Sequence, residues 1–269
     1  MIPDLSLESP ISLLIAFAIV ATIFFVRSGV ILIAAFAFIR HSAFALQRRV
    51  YRIAIPQGQI RSELGTAVCV LLLDAAIFVI LKATGALNTG AVGGMAVAVT
   101  FASLFVWFEI WFYATHRLLH TRALYFIHRQ HHKAKVTDPL TSLSFSLVER
   151  LILIVGAIGP AAVVSQFTPV SIVGLSVYFL TNYALNVLGH SNVEVFPASF
   201  PKSWLGRMFI SPTYHAMHHA RYKGHYGLFT PMLDRWLNTT FDDYPDVHAR
   251  AASNDGLTRL AERSRPDNI

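Results

Sequence analysis

The sequence predicts an all-α integral membrane protein, in which a bundle of four or five hydrophobic spans carries a histidine-rich helical cap on the cytoplasmic side. Hydrophobic residues make up 54% of the 269 positions and charged residues only 14%, whereas about a quarter of the residues of a soluble protein are charged. The mean hydropathy is +0.52. Three short clusters hold most of the twelve histidines, and they decide the prediction of function.

Five apolar runs are candidates for the spans, because a membrane helix needs about 20 predominantly apolar residues. The runs are Ile11 to Ile39, Gly65 to Ile80, Gly93 to Ala114, Leu151 to Val164 and Val170 to Leu188. Arg27 and Ser28 interrupt the first run, so Arg27 either ends the first span or lies within it. That run lacks the basic start of a signal peptide and is interpreted as a retained span. Residues 88–90 and 167–169 have the composition of tight turns between spans.

The basic residues predict the orientation, because Lys and Arg concentrate in cytoplasmic loops. The first ten residues contain no Lys or Arg, and the connections 85–93 and 166–169 are uncharged. In contrast, residues 40–61, the stretch around the first two histidine clusters and the chain after Lys202 are basic. With an external N-terminus and five crossings, every basic segment lies in the cytoplasm. The net charge of +7 then faces anionic lipid headgroups, and nucleic acid is not expected as a partner.

The histidine clusters have the spacing of metal sites on helices. Residues 116–120 form HxxxH, and residues 128–132 and 215–219 each form HxxHH. Residues three and four apart share a helix face, so each cluster is expected to point its imidazoles one way, and the three stripes could converge. A single histidine is more often an ordinary polar residue than a ligand, but three clusters in one chain favour a metal site. His190, where the last run ends, is expected at the depth of the first cluster.

The number and kind of side chains indicate two metal ions of the iron type. A catalytic zinc takes three protein ligands, and eight or nine imidazoles exceed that need. Cys69 is the single cysteine and lies in a predicted span, which excludes a disulfide and a thiolate cluster. No His-Glu-x-x-His motif of a zinc protease occurs. A sulfur-free, histidine-rich site at a membrane suits iron that binds O₂, and a lipid would supply the C–H bond to be hydroxylated or desaturated.

The order of the three clusters resembles that of the fatty acid hydroxylase/sterol desaturase superfamily, whose members are membrane di-iron oxidoreductases. The similarity covers roughly residues 25 to 245 and is strongest to the sterol C5-desaturase-like branch. The residues around the clusters also resemble those of the family. They are Tyr113 to Thr115, Leu124 to Ile127, Asp138 to Thr141, Glu149, His225 to Gly227, and Asp234 with Arg235. Two features depart from the family pattern: residues 234–239 replace its usual Phe-Gly-Thr ending, and His225 stands where Asn is frequent.

The resemblance implies nine histidine ligands, two iron ions that zinc can replace on purification, and O₂ as the co-substrate. The implied ligands are His116, His120, His128, His131, His132, His190, His215, His218 and His219. Asn186, one helical turn before His190, is expected to reach a metal through water. His225, Tyr226 and Asp234 are expected to border the site, with Tyr226 and Asp234 in a structural turn and cap rather than in catalysis.

The expected partners are a membrane lipid and a separate electron donor. This sequence shows no cytochrome b5 region, no glycine-rich phosphate loop and no cysteine cluster, so a cytochrome b5 or ferredoxin type of protein is expected to supply the electrons. A basic surface that includes Lys133, Lys135 and Arg221 would dock an acidic donor.

The chain is expected to form one catalytic membrane domain over residues 1–246, followed by a polar, solvated tail at 247–269. His41 and His248 are expected at the surface. The bacterial inner membrane is the expected location, or the endoplasmic reticulum if the protein is eukaryotic.

Two other classes of protein remain open from the residues alone. A metal-ion transporter would carry its ligands near the middle of the spans, whereas the histidines cluster at one side. A membrane haem protein with bis-histidine ligation would need far fewer histidines.

Overall fold

Helices are the only regular secondary-structure elements within residues 9–264, the part of the chain that the computed structural model describes. The α-helices are α1 (Pro10–His41), α2 (Ala43–Gln47), α3 (Gln59–Ala83), α4 (Gly94–Leu119), α5 (Tyr125–His128), α6 (Leu147–Ser165), α7 (Ile172–Gly189), α8 (Trp204–Met208), α9 (Pro212–Arg221), α10 (Met232–Trp236) and α11 (Tyr244–Ala252). Short 3₁₀ turns form at His131–Lys133, Pro139–Leu143 and Phe200–Lys202. The predicted all-α class is confirmed.

Five of these helices, α1, α3, α4, α6 and α7, are long and apolar enough to cross a membrane. They coincide with the five predicted runs. Helix α1 begins at a Ser9 cap, whose hydroxyl accepts the N–H of Ser12, and it continues without a break through Arg27. Arg27 therefore lies within the first long helix and not at its end, while its position in the bilayer stays a prediction. At about 1.5 Å per residue, α1 is longer than the hydrocarbon core of about 30 Å, so it extends beyond the bilayer or tilts.

Helices α4 and α6 approach closely at Gly156, where an added Cβ would lie 1.9 Å from the indole nitrogen of Trp111. The Gly156 carbonyl lacks its helical donor, because residue 160 is a proline and has no N–H. The indole N–H of Trp107 donates to that carbonyl at 3.0 Å. A tryptophan on one span thus satisfies the backbone group that a proline leaves open in the next, as a lipid environment requires.

The two predicted turns meet at the end of the bundle that lacks the histidines. The backbone N–H of Val170 donates to the carbonyl of Asn88 at 3.2 Å, and the N–H of Gly90 donates to the carbonyl of Val170 at 3.2 Å. Lys82 adds a contact, since its amine donates to the Thr89 hydroxyl at 3.0 Å. These bonds tie the α3–α4 connection to the α6–α7 connection, and the opposite end of the bundle is left for the short helices.

Helices α5 and α8 to α11 form the cap, and the C-terminal part of the chain belongs to it. Val247 and His248 are fully buried, and Leu257 is 1% exposed. The N–H of Leu257 donates to the carbonyl of Val50 at 2.8 Å. The expectation of a solvated tail is therefore wrong for these residues, and His248 is not at the surface. The predicted domain boundary at 246 stays a prediction, and the first eight and last five residues lie outside the described range.

We expect Trp107→Phe to lower the free energy of unfolding by about 1 to 2 kcal/mol, because it leaves the Gly156 carbonyl without a donor. Adding Pro160→Ala restores an N–H at residue 160 and should cancel most of that loss. Unfolding by SDS titration in mixed micelles measures both variants. An equal loss in the Pro160→Ala and wild-type backgrounds would contradict the assignment of the indole bond.

Candidate metal centre

The structure brings together all nine histidines that the resemblance implies, in two adjacent groups. Within each group, the nitrogens offered by the side chains lie within 4.8 Å of one another. The first group is His116, His120, His128, His132 and His218. The second group is His131, His190, His215 and His219. All but His120 are buried, so the cluster is an interior feature of the cap.

The ends of two spans supply three of these histidines. His116 lies in the last turn of α4, His120 is the C-terminal cap of that helix, and His190 is the C-terminal cap of α7. The other six come from α5 with the 3₁₀ turn that follows it, and from α9. The histidines thus meet at one end of the bundle, where the spans leave the apolar layer.

The second and third clusters divide their histidines between the two groups. His131 and His132 are adjacent in the 3₁₀ turn at 131–133 and point to different groups. In α9, His215 and His219 are four residues apart and share a face, whereas His218 is turned about 100° from His219. The expectation that each cluster points one way is therefore wrong for these two clusters, and each of them bridges both groups.

The Nε2 atoms of neighbouring histidines face each other at hydrogen-bond distance. In the first group, His116 and His120 are 3.3 Å apart, and His132 and His218 are 3.1 Å apart, measured between Nε2 atoms. In the second group, the Nε2 of His190 lies 2.9 Å from that of His215 and 3.4 Å from that of His131. The Nε2 atom of His128 is buried without any partner. Lone pairs that converge in this way repel unless a cation lies between them, so the donor set fits bound metal ions.

Three outward ring nitrogens of the first group have acceptors that fix this arrangement, whereas the Nδ1 of His132 is buried without a partner. The Nδ1 of His116 donates to the carbonyl of Tyr226 at 2.9 Å, and that of His218 donates to the carbonyl of Gly224 at 2.7 Å. The Nδ1 of His128 lies 2.6 Å from a carboxylate oxygen of Glu149. Because a carbonyl can only accept, the proton sits on Nδ1 and Nε2 keeps its lone pair, as in metal sites with an oriented imidazole.

Backbone carbonyls orient three histidines of the second group in the same manner, whereas the Nδ1 of His215 is buried without a partner. The Nδ1 of His190 donates to the carbonyl of Asn186 at 2.8 Å, and that of His219 donates to the carbonyl of Ala134 at 2.9 Å. The Nδ1 of His131 lies 3.3 Å from the carbonyl of Ser144. The expected water-mediated role of Asn186 stays a prediction, while its backbone has a definite contact with the site.

Two of the predicted bordering residues, His225 and Tyr226, lie in one loop beneath the first group, and the third, Asp234, lies in α10. Asp234 accepts the backbone N–H of Tyr226 at 2.8 Å and that of Gly227 at 2.7 Å, which holds the loop whose carbonyls orient His116 and His218. The ring of Tyr226 packs against these two histidines. His225 uses both ring nitrogens on the backbone, at Tyr214 and Phe241, and so has no free nitrogen for a metal.

Burial favours the neutral form of the histidines of the two groups that lie outside the spans. It lowers the pKa of His190 to about 4, and it lowers the pKa values of His131 and His218 well below their usual range. The charges of neighbouring histidines act in the same direction for His131 and His218. Neutral imidazole is the form that ligates metal, so the site presents its ligands deprotonated.

A buried contact between a carboxylate and a histidine supports the third cluster, and sequence reasoning missed it. Glu194 is fully buried and accepts the backbone N–H of Thr213, at the start of α9, at 3.2 Å. Its carboxylate lies 3.0 Å from Nδ1 of His248, whose Nε2 is 3.0 Å from the carbonyl of Pro197. Burial raises the pKa of Glu194, but its hydrogen bonds and His248 outweigh burial and lower it overall. Nothing in the local sequence links residues 54 positions apart.

Two of the three basic residues expected to dock an electron donor are at the surface. Lys133 and Lys135 are exposed beside the second cluster. Arg221 instead forms an ion pair with Asp243 at 2.6 Å, and its side chain is only 2% exposed. The expectation for Arg221 is therefore wrong, because the guanidinium stabilises the cap internally.

We expect Glu194→Gln to destabilise the protein by about 3 kcal/mol, because it leaves His248 buried without its partner. His248→Gln should cost a similar amount, and the double variant should cost much less than the sum. Thermal unfolding of the purified protein in detergent measures the three variants. Additive losses would show that the two side chains do not act as a pair.

The sequence also matches known proteins. A family model described as fatty acid hydroxylase matches residues 101–239, a range that holds all nine histidines. The very-long-chain aldehyde decarbonylase GL1-6 of Oryza sativa subsp. indica is 28% identical over 173 residues, which are 60% of this chain and 27% of that protein. No solved structure matches the chain.

Two further relatives also match only part of this chain and a smaller part of their own length. GL1-1 of Oryza sativa subsp. indica, also called a very-long-chain aldehyde decarbonylase, is 36% identical over 126 residues, or 46% of this chain and 20% of that protein. The very-long-chain aldehyde decarbonylase CER1 of Arabidopsis thaliana is 29% identical over 144 residues, or 52% of this chain and 23% of that protein. The matched part of this chain thus spans only about a quarter of the length of these relatives.

Proposed function

The chain belongs to the fatty acid hydroxylase family, and from that premise we propose that it is a di-iron membrane oxidoreductase, which uses O₂ to hydroxylate or desaturate a C–H bond of a lipid. The substrate is of the fatty-acyl or sterol-like kind. A separate protein of the cytochrome b5 or ferredoxin type supplies the reducing equivalents.

The observation that carries this proposal is the convergence of nine neutral imidazoles in two groups. Five histidines around His116 would hold one iron, and four around His190 would hold the other. Bound iron would supply the activation of O₂ that amino-acid side chains cannot perform. Zinc fits the same nitrogen donors and can replace iron on purification.

The protein's own residues hold and orient the ligands and exclude water. The loop at 224–227 and Glu149 direct the Nε2 atoms of His116, His218 and His128 inwards. Backbone carbonyls do the same for His190 and His219, and burial favours neutral imidazoles. The spans deliver a lipid from the bilayer to the same end of the bundle. An oxidation that would damage exposed side chains is thereby confined to a dry interior.

The position of the histidines favours an enzyme over a metal-ion transporter. A transporter would hold its ion near the middle of the spans, whereas His116 and His190 lie at the last residues of α4 and α7. We propose that this end of the bundle faces the cytoplasm, as the basic loops predict, in a bacterial inner membrane.

The names of the relatives suggest a second class of substrate. The rice and Arabidopsis relatives are named for very-long-chain aldehydes, so a long aliphatic aldehyde is the alternative to a fatty-acyl or sterol-like lipid. Because this chain covers only part of those proteins, both substrate classes belong in the first activity assay.

We expect protein purified from iron-supplied cells to contain close to two metal ions per chain. His218→Ala removes a ligand from the first group alone, and His131→Ala removes one from the second group alone. Each should lose about one ion, and the double variant about two, since loss of a ligand weakens only the site that it serves. Elemental analysis measures the content, and Mössbauer spectroscopy identifies coupled iron.

His41→Ala is the matched control, because His41 is exposed and outside both groups. A metal content unchanged in the His131 and His218 variants would overturn the proposal. A single ion per chain would favour the metal-ion transporter, and a haem absorption band would favour the haem protein.

We expect Lys133→Glu and Lys135→Glu to slow electron delivery at low salt, because both lysines are exposed beside the second cluster and would attract an acidic donor. Stopped-flow oxidation of a reduced cytochrome b5 or ferredoxin measures the rate. The difference from wild type should shrink as salt rises. Lys202→Glu, at another exposed lysine, is the control; an equal effect of all three reversals would argue against a defined docking surface.

A further inference from the structure

A cavity of about 280 Å³ lies inside the bundle, among α1, α3, α6 and α7. Its walls are apolar over most of their length, at residues such as Val20, Ile158, Leu175 and Phe179. Ile23 also lines it and is 50% exposed on the outer surface of the bundle. Such walls suit an aliphatic chain, the cavity borders the outer surface of the bundle at Ile23, and its volume is near the lower end of that of ligand pockets.

One end of this cavity is polar. Arg27, Ser142, Asn182 and Asn186 line it there, near the end of the spans that carries the histidines. The side-chain oxygen of Asn186 is buried and has no hydrogen-bond partner. That oxygen can only accept a hydrogen bond, so the donors that could face a bound anion are the Arg27 guanidinium and the side-chain NH₂ groups of Asn182 and Asn186.

Arg27 is the notable group at this end, because none of the ion pairs within residues 9–264 includes it. One guanidinium nitrogen donates to the Ser28 hydroxyl at 3.2 Å, and the guanidinium carbon Cζ lies 5.0 Å from the ring centroids of Phe24 and Tyr183. Its Nε is buried without a partner. A cation within a membrane span is costly unless an anion compensates it, and such residues usually serve a function.

The other charges that line the cavity do not compensate Arg27. Asp74 and Arg150 also line it, but they form a two-pronged ion pair with each other, with Arg150 Nε donating to Asp74 at 2.7 Å. These two charges cancel, so the polar end keeps one net positive charge. That charge and the apolar walls together describe a receptor for an amphiphile with an anionic head.

We propose that this cavity binds a single-chain lipid carboxylate, with the carboxylate held by Arg27 and the amides of Asn182 and Asn186, and the chain extended along Leu175 and Phe179. The small volume favours a carboxylate over a bulky phospholipid headgroup. Arg27 is then a residue that selects anionic over neutral lipids.

The same contacts orient the bound lipid. Asn186, at the polar end of the cavity, accepts the Nδ1 proton of His190 through its backbone carbonyl at 2.8 Å, so the head lies next to the second histidine group and the tail points away from it. Only the next step rests on the proposed function. If that function holds, oxidation occurs at a carbon near the head rather than deep in the chain.

Binding of tritiated hexadecanoate and hexadecanol to the full chain in nanodiscs of zwitterionic lipid tests the proposal without any turnover. Arg27→Gln should weaken hexadecanoate binding by at least about tenfold, as for loss of a buried charged hydrogen bond, and leave hexadecanol binding unchanged. Arg27→Lys should recover part of the affinity. Arg122→Gln, at an exposed arginine, is the matched control for the loss of one positive charge and should change neither ligand.

A second variant tests the cavity itself. Ser176 lines it, and Ser176→Phe should weaken both ligands, because the added ring fills the space for the chain. The proposal would be overturned if Arg27→Gln left hexadecanoate binding unchanged or weakened the binding of both ligands equally. Binding of hexadecyl phosphate that depends on Arg27 and is tighter than that of hexadecanoate would also overturn it. Metal content is measured on the same samples. If the protein holds two metal ions but hexadecanoate binding does not depend on Arg27, this inference alone is rejected. If binding depends on Arg27 but the protein lacks paired metals, the proposed function alone is rejected.

Discussion

Nine imidazoles with converging lone pairs impose the constraint on which the rest of this structure depends. Such a cluster is unfavourable on its own, because neighbouring Nε2 atoms lie 2.9 to 3.4 Å apart without protons to share between every pair. It can persist only where the outer nitrogens are anchored and the inner ones meet a cation. The backbone carbonyls at Ala134, Asn186, Gly224 and Tyr226 provide the anchors. If metal binds as proposed, its binding free energy also stabilises the fold of the cap.

The spans and the cap satisfy this constraint in different ways. Helices α4 and α7 are held in the bundle by packing and by bonds such as that from Trp107 to Gly156, so the histidines at their ends have fixed positions. Helix α9 is short and cannot rely on its own length for stability. The carboxylate of Glu194 at its N-terminus and the contact of that carboxylate with His248 supply the stability from outside the helix. The site is therefore formed where rigid spans meet a short helix that contacts outside the helix stabilise.

The spans and the histidine set could be predicted from sequence, because both are local patterns. A run of about 20 apolar residues has few alternatives to a membrane helix, and the spacing of each histidine cluster is visible within five residues. The division of the second and third clusters between two groups could not be predicted, since it depends on a 3₁₀ turn at 131–133 and on the rotation of α9. The contacts of Glu194, His248 and Arg221 join distant segments, and no local pattern marks them.

Charge balance links the proposed metal site to the proposed lipid site. Neutral imidazoles bring no negative charge, and among residues 9–264 Glu149 is the one carboxylate in direct contact with a histidine of either group. Two iron ions would therefore leave excess positive charge at this end of the bundle. Arg27 adds to it, since Asp74 is already paired with Arg150. An interior with this balance attracts anions and excludes further cations. A lipid carboxylate placed between Arg27 and the second histidine group would compensate both charges at once, which a neutral alcohol or aldehyde could not do.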